Sequence, residues 1–463
     1  MTNPAALVEP APVSRAAAPP HRHPPALWTL FLTEMWERFS YYGMRALLVL
    51  YMTASAANGG LGFTVVDAAA IYGWYTGLVY LAALPGGFLA DQFLGQRRAV
   101  LIGGIVIAAG HVCLAVPSLP LFYLGLGLII CGTGLLKPNI STMVGGLYPE
   151  NDPRRDAGFS IFYMGINIGA LVAPLVCGFL AQHPAFLGFL GRHGLDPHLG
   201  WHFGFGAAAV GMTLGILQFV AGRRRFGAVG DAPRGRKAAE PRQAGPPFTR
   251  KDWSRIAAIF ILFCFSALFW SGFEQAGSSL NLFADQLTDN VLFGHAFPST
   301  WYQSINSIFI ILLAPVFAWL WVHLGDREPS SPAKFALGLF WVGVAFITVA
   351  AGAWVNQRTG ARVSPAWLIF VYLFSTLGEL SLSPVGLSTV TKLAPPRISS
   401  LMMGVWFLSL AIGNKAGGWV AGHFDPHGNL VRLFLSVALV QLAACLVLAF
   451  LVRPIQKLMA GVH

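Results

Sequence analysis

The chain has 463 residues, of which 55% are hydrophobic and only 11% are charged, whereas soluble domains carry roughly 25% charged residues. The mean hydropathy is +0.62, so the composition excludes an ordinary soluble protein and indicates an integral membrane protein in a lipid bilayer. A net charge of +11 would suit a nucleic-acid partner, but the basic residues are placed as in a membrane protein and we expect no nucleic acid.

The predicted elements begin with a tail at 1–25, rich in Ala, Pro and His, which we expect to be disordered, cytoplasmic and free of a signal peptide. His21 and His23 in this tail are expected to be inert rather than a metal site. Hydrophobic runs of about 20 residues then predict twelve transmembrane helices. They lie near 27–53, 67–92, 98–116, 119–147, 157–182, 201–222, 254–284, 299–323, 334–355, 365–392, 398–421 and 428–452.

A charged, Gly- and Pro-bearing linker at 223–253 divides these helices into two six-helix bundles, 26–222 and 254–453, followed by a cytoplasmic tail at 454–463. Two halves around a central site are the plan of a transporter. Most Lys and Arg residues fall in segments on one predicted side of the membrane, while the other side holds only Arg192, Arg358, Arg362 and Arg432. This positive-inside asymmetry predicts that both termini are cytoplasmic.

The first predicted helix carries charges where a membrane span normally has none. Glu34 and Arg38 are four residues apart and Glu37 lies beside them, so all three share one helix face. The stripe continues roughly one and two turns further, at Tyr41, Tyr42 and Arg45. Because intramembrane charges are costly and usually mark a transport path, we interpret this face as lining one.

Lys137 lies in the middle of the fourth predicted helix, directly before Pro138, which removes a helix hydrogen bond. An unpaired ammonium at this depth is expensive, and the nearest carboxylates in the same half are Glu34 and Glu37. We therefore expect Lys137 to pair with them, in a bond that the transfer of one proton makes or breaks. A lysine that snorkels to the interface is the less favoured alternative.

The C-terminal half has two mid-span carboxylates, Glu274 in the seventh predicted helix and Glu379 in the tenth. Neither has a nearby base in its own half, so their partners must come from across the interface. We expect Arg45 to pair with Glu274, and such an ion pair between the halves could act as a gate.

The loop after the second predicted helix, from Gly87 to Arg98, resembles the cytoplasmic signature of the major facilitator superfamily through Asp91, Gly95 and Arg97. Three further strings resemble the proton-dependent oligopeptide transporter family within that superfamily. They are Glu34-Met-Trp-Glu-Arg-Phe-Ser-Tyr-Tyr-Gly43, the run from Phe162 to Leu171, and the segment from Phe269 to Gln275. This resemblance covers essentially the whole membrane region.

The resemblance implies an all-α membrane protein of major facilitator fold that imports di- and tripeptides with protons by alternating access. It places the peptide carboxylate toward Arg38 and Lys137 and the peptide amino group toward Glu379. It further implies that uncharged residues contact the peptide or wall its side-chain pockets; these are Tyr42, Tyr80, Asn167, Trp270, Asn306, Ser383 and Trp406. Packing between helices is an equal alternative for these residues.

Two departures from the family pattern concern the architecture and the proton site. Bacterial members resemble a fourteen-span pattern with two extra helices between the halves, whereas residues 223–253 are too polar to span. Gly73 stands where animal relatives carry a histidine, so protons must use carboxylates, first Glu274 and second Glu34 and Glu37 together with Lys137. His111 is interpreted as a packed neutral residue in preference to a relay.

Other functions remain as alternatives. A relative that moves nitrate or other organic anions would share the fold, although Lys137 and Glu379 together favour a substrate with two opposite ends. A sensor would need a larger soluble domain, and an intramembrane hydrolase would need a nucleophile and base that no string supplies. We thus expect no enzyme activity, no metal and no cofactor besides coupling protons, in a monomer of a bacterial inner membrane.

Overall fold

The computed structural model describes residues 22–149, 152–231, 248–292, 294–395 and 398–459. Most of the predicted tail at 1–25 and the middle of the predicted linker lie outside these residues. The described part is dominated by twelve helices of 19 to 29 residues. At 1.5 Å per residue, even the shortest of them is about 28 Å long, close to the thickness of a hydrocarbon core.

Within the described residues, the N-terminal half contains seven α-helices, of which α6 is short. They are α1 (Pro25–Thr53), α2 (Val65–Leu89), α3 (Gln96–Leu114), α4 (Leu119–Gly146), α5 (Arg155–Gln182), α6 (Pro184–Arg192) and α7 (Gly200–Gly222).

The described part of the C-terminal half contains seven more α-helices, of which α9 is short. They are α8 (Arg250–Phe273), α9 (Ser279–Gln286), α10 (Gln303–Leu324), α11 (Ser331–Thr359), α12 (Ala366–Leu393), α13 (Ser399–Ala421) and α14 (Leu430–Leu458). Between α9 and α10, the two-residue strands β1 (Val291–Leu292) and β2 (His295–Ala296) pair antiparallel.

Two helices extend into segments that the sequence assigned to the linker and to the C-terminal tail. α8 begins at Arg250 because Thr249 and Asp252 form a capping box, in which each side chain accepts a hydrogen bond from the other residue's backbone N–H. α14 continues to Leu458, past Pro454 and into the predicted tail at 454–463. Its last turn is held by packing, since Ile455 and Met459 are both buried.

The seventh predicted span is interrupted, although the sequence predicted one continuous helix at 254–284. A 3₁₀ turn at Glu274–Gly277 separates α8 from α9, and Ser278 between them has a non-helical backbone. Gly277 is required there, because a Cβ atom would lie 2.0 Å from the hydroxyl of Tyr72 on α2. The break thus brings the backbone around Glu274 against the N-terminal half.

Ten of the long helices are apolar enough to cross a membrane. The other two are α1, which carries Glu34, Glu37, Arg38 and Arg45, and α13, which is rich in Ser and Gly and holds one intramembrane lysine. Large apolar side chains cover the outside of the bundle, as a bilayer environment requires. Phe450 on α14 and Val322 on α10 are each 83% exposed.

Within each half the helices pack closely on one another. In the N-terminal half α1 packs against α5 and α7, and α3 packs against α4. In the C-terminal half α11 packs against α12 and α14, and α8 packs against α13. The halves meet chiefly where α2 packs against α13 and where α5 packs against α10. Two pairs of helices therefore frame the space between the halves.

The signature loop between α2 and α3 binds the start of the linker. Gly95 has φ +76°, a conformation that favours glycine, and it directly precedes α3. Arg97 forms an ion pair of 2.7 Å with Asp231 and donates hydrogen bonds to the carbonyl oxygens of Gly227 and Val229. The loop thereby fixes the path of the chain as it leaves α7.

Candidate functional site

A cavity of about 340 Å³ lies between the two halves. It is lined by thirteen of the fourteen residues that the sequence predicted for coupling or substrate binding, which are Glu34, Arg38, Tyr42, Arg45, Tyr80, Lys137, Asn167, Trp270, Glu274, Asn306, Glu379, Ser383 and Trp406. The fourteenth, Glu37, is fully buried beside Arg38. The structure therefore brings the predicted residues together around one space.

The two carboxylates of α1 pair with Arg38. Its Nε atom lies 2.9 Å from Glu34 Oε1 and 2.6 Å from Glu37 Oε2, and all three side chains are almost completely buried. The i, i+4 spacing on one helix makes this pairing possible without any other element. The guanidinium nitrogen Nη2 of Arg38 is buried and has no hydrogen-bond partner among the described residues.

Lys137 does not pair with Glu34 or Glu37, so that expectation is wrong in this structure. Its Nζ atom lies 4.0 Å from the centre of the Tyr80 ring, and no carboxylate within the described ranges lies within 4.0 Å of it. Arg38 takes the two carboxylates because it sits on their own helix. The ring of Tyr80 on α2 supplies a weaker cation–π contact instead.

The expected ion pair between the halves is confirmed. Arg45 Nη2 on α1 lies 2.5 Å from Glu274 Oε2, at the break between α8 and α9. Arg45 Nε also donates a hydrogen bond of 2.7 Å to the hydroxyl of Tyr72, which in turn approaches the backbone oxygen of Glu274. Arg45 and Glu274 are both less than 7% exposed, so solvent screens the pair little.

Further hydrogen bonds join the halves at the same end of the molecule, which we call the closed end and which contains the C-termini of α1, α5 and α13. Asn281 on α9 donates to the carbonyl oxygen of Ala46 on α1 at 2.8 Å. Ser304 on α10 donates to Leu171 on α5 at 2.8 Å, and Gln182 on α5 donates to Ser299 at 3.2 Å.

Small residues complete the closed end at the contact between α2 and α13. A Cβ atom on Gly73 would lie 3.1 Å from the Cα of Gly418, and one on Gly418 would lie 2.6 Å from the Cα of Gly73. The absence of a histidine at position 73 thus has a physical reason, because the two backbones touch there. From this end the cavity extends along α4 and α12 past Ser141 and Ser383.

Substitution Gly418→Ala is expected to open the closed end. The added methyl group would meet Gly73 Cα at 2.6 Å and Ala69 O at 2.7 Å, and such overpacking costs about 1–3 kcal/mol. The population with α2 and α13 separated should rise about 5- to 150-fold. Distances between spin labels introduced at the exposed Ala185 and Thr359, in a variant without native cysteines, would measure it.

Gly127→Ala is the matched control, because a Cβ on this α4 glycine meets no atom within 4 Å. The label distances in the control should equal those of the parent protein. An unchanged distance distribution in Gly418→Ala would contradict the prediction.

Glu379 stands on α12, in the C-terminal wall of the cavity. Its Oε2 atom accepts a hydrogen bond of 3.1 Å from Asn306 Nδ2, which also donates to Thr376 Oγ at 2.9 Å. No basic side chain in the described parts of the chain lies within 4.0 Å of this carboxylate, so the expectation of a partner from across the interface is wrong for Glu379 in this structure. Lys137 in one wall and Glu379 in the other are therefore opposite charges that both lack an ionic partner within the described residues.

The aromatic and amide residues of the predicted set line the cavity walls, and some of them also contact neighbouring residues. Asn167 uses its amide to donate to the carbonyl oxygen of Tyr163, one turn earlier on α5. Trp406 is 4% exposed and packs edge-on against Phe335, and Trp270 is 6% exposed. The indole N–H of Trp270 has no hydrogen-bond partner among the described residues.

Sequence reasoning missed several lining residues that helical spacing could have found. Tyr163 lies four residues before Asn167, Gln303 lies three before Asn306, and Ser375 and Tyr372 lie four and seven before Glu379. Each is therefore on the same helix face as a predicted residue. His111 is completely buried outside this cavity, and neither ring nitrogen has a hydrogen-bond partner in the described residues.

A bundle of long apolar helices whose two halves enclose a charged cavity defines a membrane transporter of the major facilitator fold. The model of the POT family matches residues 97–234 and 249–431. This chain belongs to that family.

Characterised relatives and solved structures agree with the family. The chain is 42% identical to peptide transporter YePEPT of Yersinia enterocolitica, over 94% of this chain and 95% of that protein. It is 36% identical to a di-/tripeptide transporter of Lactococcus lactis, over 95% and 97%. A mutant of peptide transporter POT in complex with alafosfalin superposes with a TM-score of 0.85 at 40% identity, covering 95% of this chain and 96% of that chain.

The first of these alignments also bears on the expected absence of two extra helices between the halves. It extends over 504 positions but contains 94% of this chain, or about 435 residues, so about 69 positions are gaps in this chain. The match to the family model is interrupted between 234 and 249, inside the predicted linker. The relative thus carries residues that this chain lacks.

Proposed function

We propose that this protein is a proton-coupled symporter that imports di- and tripeptides by alternating access. The observation that carries the proposal is the pair of opposite charges, Lys137 and Glu379, which stand on opposite walls of one cavity without ionic partners among the described residues. A zwitterionic peptide bound between them meets a complementary charge at each end. The names of the relatives support the same substrate class.

The polarity of the proposed binding mode follows from the walls. Arg38 and Lys137 lie in the N-terminal wall and receive the peptide carboxylate, whereas Glu379 receives the amino group. The volume of about 340 Å³ is at the small end of ligand pockets, which suits short peptides. A POT family transporter that binds 5-aminolevulinic acid, 33% identical to this chain, also accepts a ligand with an amino group and a carboxylate.

Coupling to protons is assigned to the buried carboxylates. Protonation of Glu274 removes the charge that holds Arg45, which weakens the ion pair between the halves and lets the closed end separate. Protonation of Glu34 or Glu37 frees Arg38 for the peptide carboxylate. The two glutamates and the peptide carboxylate thus compete for Arg38, so protonation of the glutamates favours peptide binding and links the binding of proton and peptide.

If both termini are in the cytoplasm of a bacterial inner membrane, the closed end faces the outside, and we assign an inward-facing state on this basis. The positive-inside distribution supports this orientation. The monomeric state stays a prediction from the sequence.

Counterflow of labelled dialanine in proteoliposomes, with and without an imposed pH gradient, tests the function. We expect exchange without a gradient and accumulation with an inward proton gradient. Unlabelled dialanine should compete and nitrate should not. If nitrate competes and dialanine does not, the substrate is an inorganic anion and not a peptide.

A further inference from the structure

A second groove lies outside the central cavity, on the bilayer side of the contact between α2 and α13. Its volume is about 570 Å³, and the walls are apolar except at one position. The lining residues are Trp74, Gly77, Leu78, Leu81, Leu408, Ala411, Ile412, Lys415, Ala416 and Trp419. Trp74 is 57% exposed and Trp419 is 68% exposed, so the groove faces the surroundings of the bundle.

Lys415 places an ammonium group in this groove. Its Nζ atom lies 4.2 Å from the centre of the Trp74 ring, and no carboxylate in the described ranges lies within 4.0 Å of it. An intramembrane lysine is costly unless it finds a partner or reaches the interface. The proposed transport path does not use it, because Lys415 does not line the central cavity.

The depth of Lys415 suits a contact with lipid headgroups. It lies six residues before the end of α13 at Ala421, about 9 Å along the helix axis. α13 has 23 residues, about 35 Å, so its end extends about 2 Å beyond a 30 Å hydrocarbon core and Lys415 lies about 7 Å inside that boundary. The long lysine side chain can carry its ammonium toward the boundary between acyl chains and headgroups, where tryptophans such as Trp419 concentrate.

We propose that this groove binds an anionic phospholipid from the leaflet at the closed end, with its phosphate on Lys415 and one acyl chain along the leucine and alanine side chains. The lining contains no carboxylate, so it offers no opposite charge for the ammonium of an ethanolamine headgroup. Charge complementarity therefore favours a headgroup with net negative charge, such as phosphatidylglycerol.

The site spans the two halves, since Trp74 belongs to α2 and Lys415 to α13. It also borders the glycine contact of the closed end, because the backbone oxygen of Lys415 would lie 3.3 Å from a Cβ on Gly73. The groove exists only while α2 and α13 are in contact. A bound lipid thus stabilises the state in which the closed end is closed, independently of the identity of the transported solute.

Native mass spectrometry of the purified full chain, delipidated and titrated with phosphatidylglycerol, tests the site. One interaction of a basic side chain with an anionic lipid is worth about a fivefold change in affinity. Lys415→Met should therefore lose about fivefold in apparent affinity for the tightest bound lipid, and Lys415→Arg should retain it. The apparent affinity for phosphatidylethanolamine should be the same in the parent and in Lys415→Met.

Arg432→Gln is the control, because it removes an exposed positive charge at the same end of the molecule but outside the groove. It should bind phosphatidylglycerol as the parent does. Equal binding by the parent and Lys415→Met, or an equal loss in Arg432→Gln, would overturn the proposal. If Lys415→Met does not fold, equal affinities of the parent protein for phosphatidylglycerol and phosphatidylethanolamine would also overturn the proposal.

Discussion

Replacement Glu274→Gln is expected to abolish proton-driven accumulation of peptide while exchange of peptide continues. One proton that moves through about 100 mV and one pH unit supplies roughly 3.7 kcal/mol, enough for about 500-fold accumulation of a neutral peptide. Glutamine can still accept a hydrogen bond from Arg45 but cannot take up the proton. Accumulation in proteoliposomes should therefore fall from about 500-fold toward equal concentrations.

Counterflow of labelled dialanine separates this effect from a loss of binding, because exchange needs no gradient. The control is Asp67→Asn, an exposed acid on α2 that accepts a hydrogen bond from Thr64 and pairs with no base in the described residues. Asp67→Asn should accumulate dialanine normally. Full gradient-driven uptake by Glu274→Gln would show that Glu274 is not the coupling site.

The second large effect is expected for Glu379→Gln, which should weaken binding of dialanine by about 30- to 5,000-fold. The loss of one member of a buried charge pair costs about 2–5 kcal/mol, and Glu379 is the proposed partner of the peptide amino group. Asn306 would still contact the new amide, so the wall itself is preserved. Competition for labelled substrate by a dilution series of dialanine would measure the change.

N-acetylated dialanine makes this prediction specific, because its amino end carries no charge. The parent should bind it weakly, and Glu379→Gln should bind it no worse than the parent does. Glu328→Gln serves as the control variant, since Glu328 pairs with Lys334 in another pocket of the same half. Equal losses for both peptides would show that Glu379 supports the wall and not the amino group.

The positions of the helices follow from the hydrophobic pattern, because a bilayer imposes a fixed length on every span. The ion pair of Arg45 with Glu274 was also predictable, since Glu274 has no base nearby in its own half and its partner therefore comes from the other half. The partner of Lys137 was not. Its choice depends on how α4 is rotated and how deep it sits relative to α1, and neither quantity is encoded in residue spacing.

The break between α8 and α9 was missed for a related reason. Gly272, Gly277 and Ser278 weaken the helix locally, but many membrane helices contain such residues without breaking. The close approach of Tyr72 accounts for the break at this position, and Tyr72 lies on a helix about 200 residues earlier in the chain. Contacts of this range lie beyond what local sequence patterns predict.

The two acid–base groups differ in what they can transmit. Glu34, Glu37 and Arg38 all belong to α1, so a change in their bonding leaves the relative placement of the bundles untouched and alters only how strongly one wall attracts an anion. Arg45 and Glu274 belong to different bundles, so their bond resists relative motion. The strength of anion binding and the rate at which the bundles move apart can therefore be changed separately, because different side chains control them.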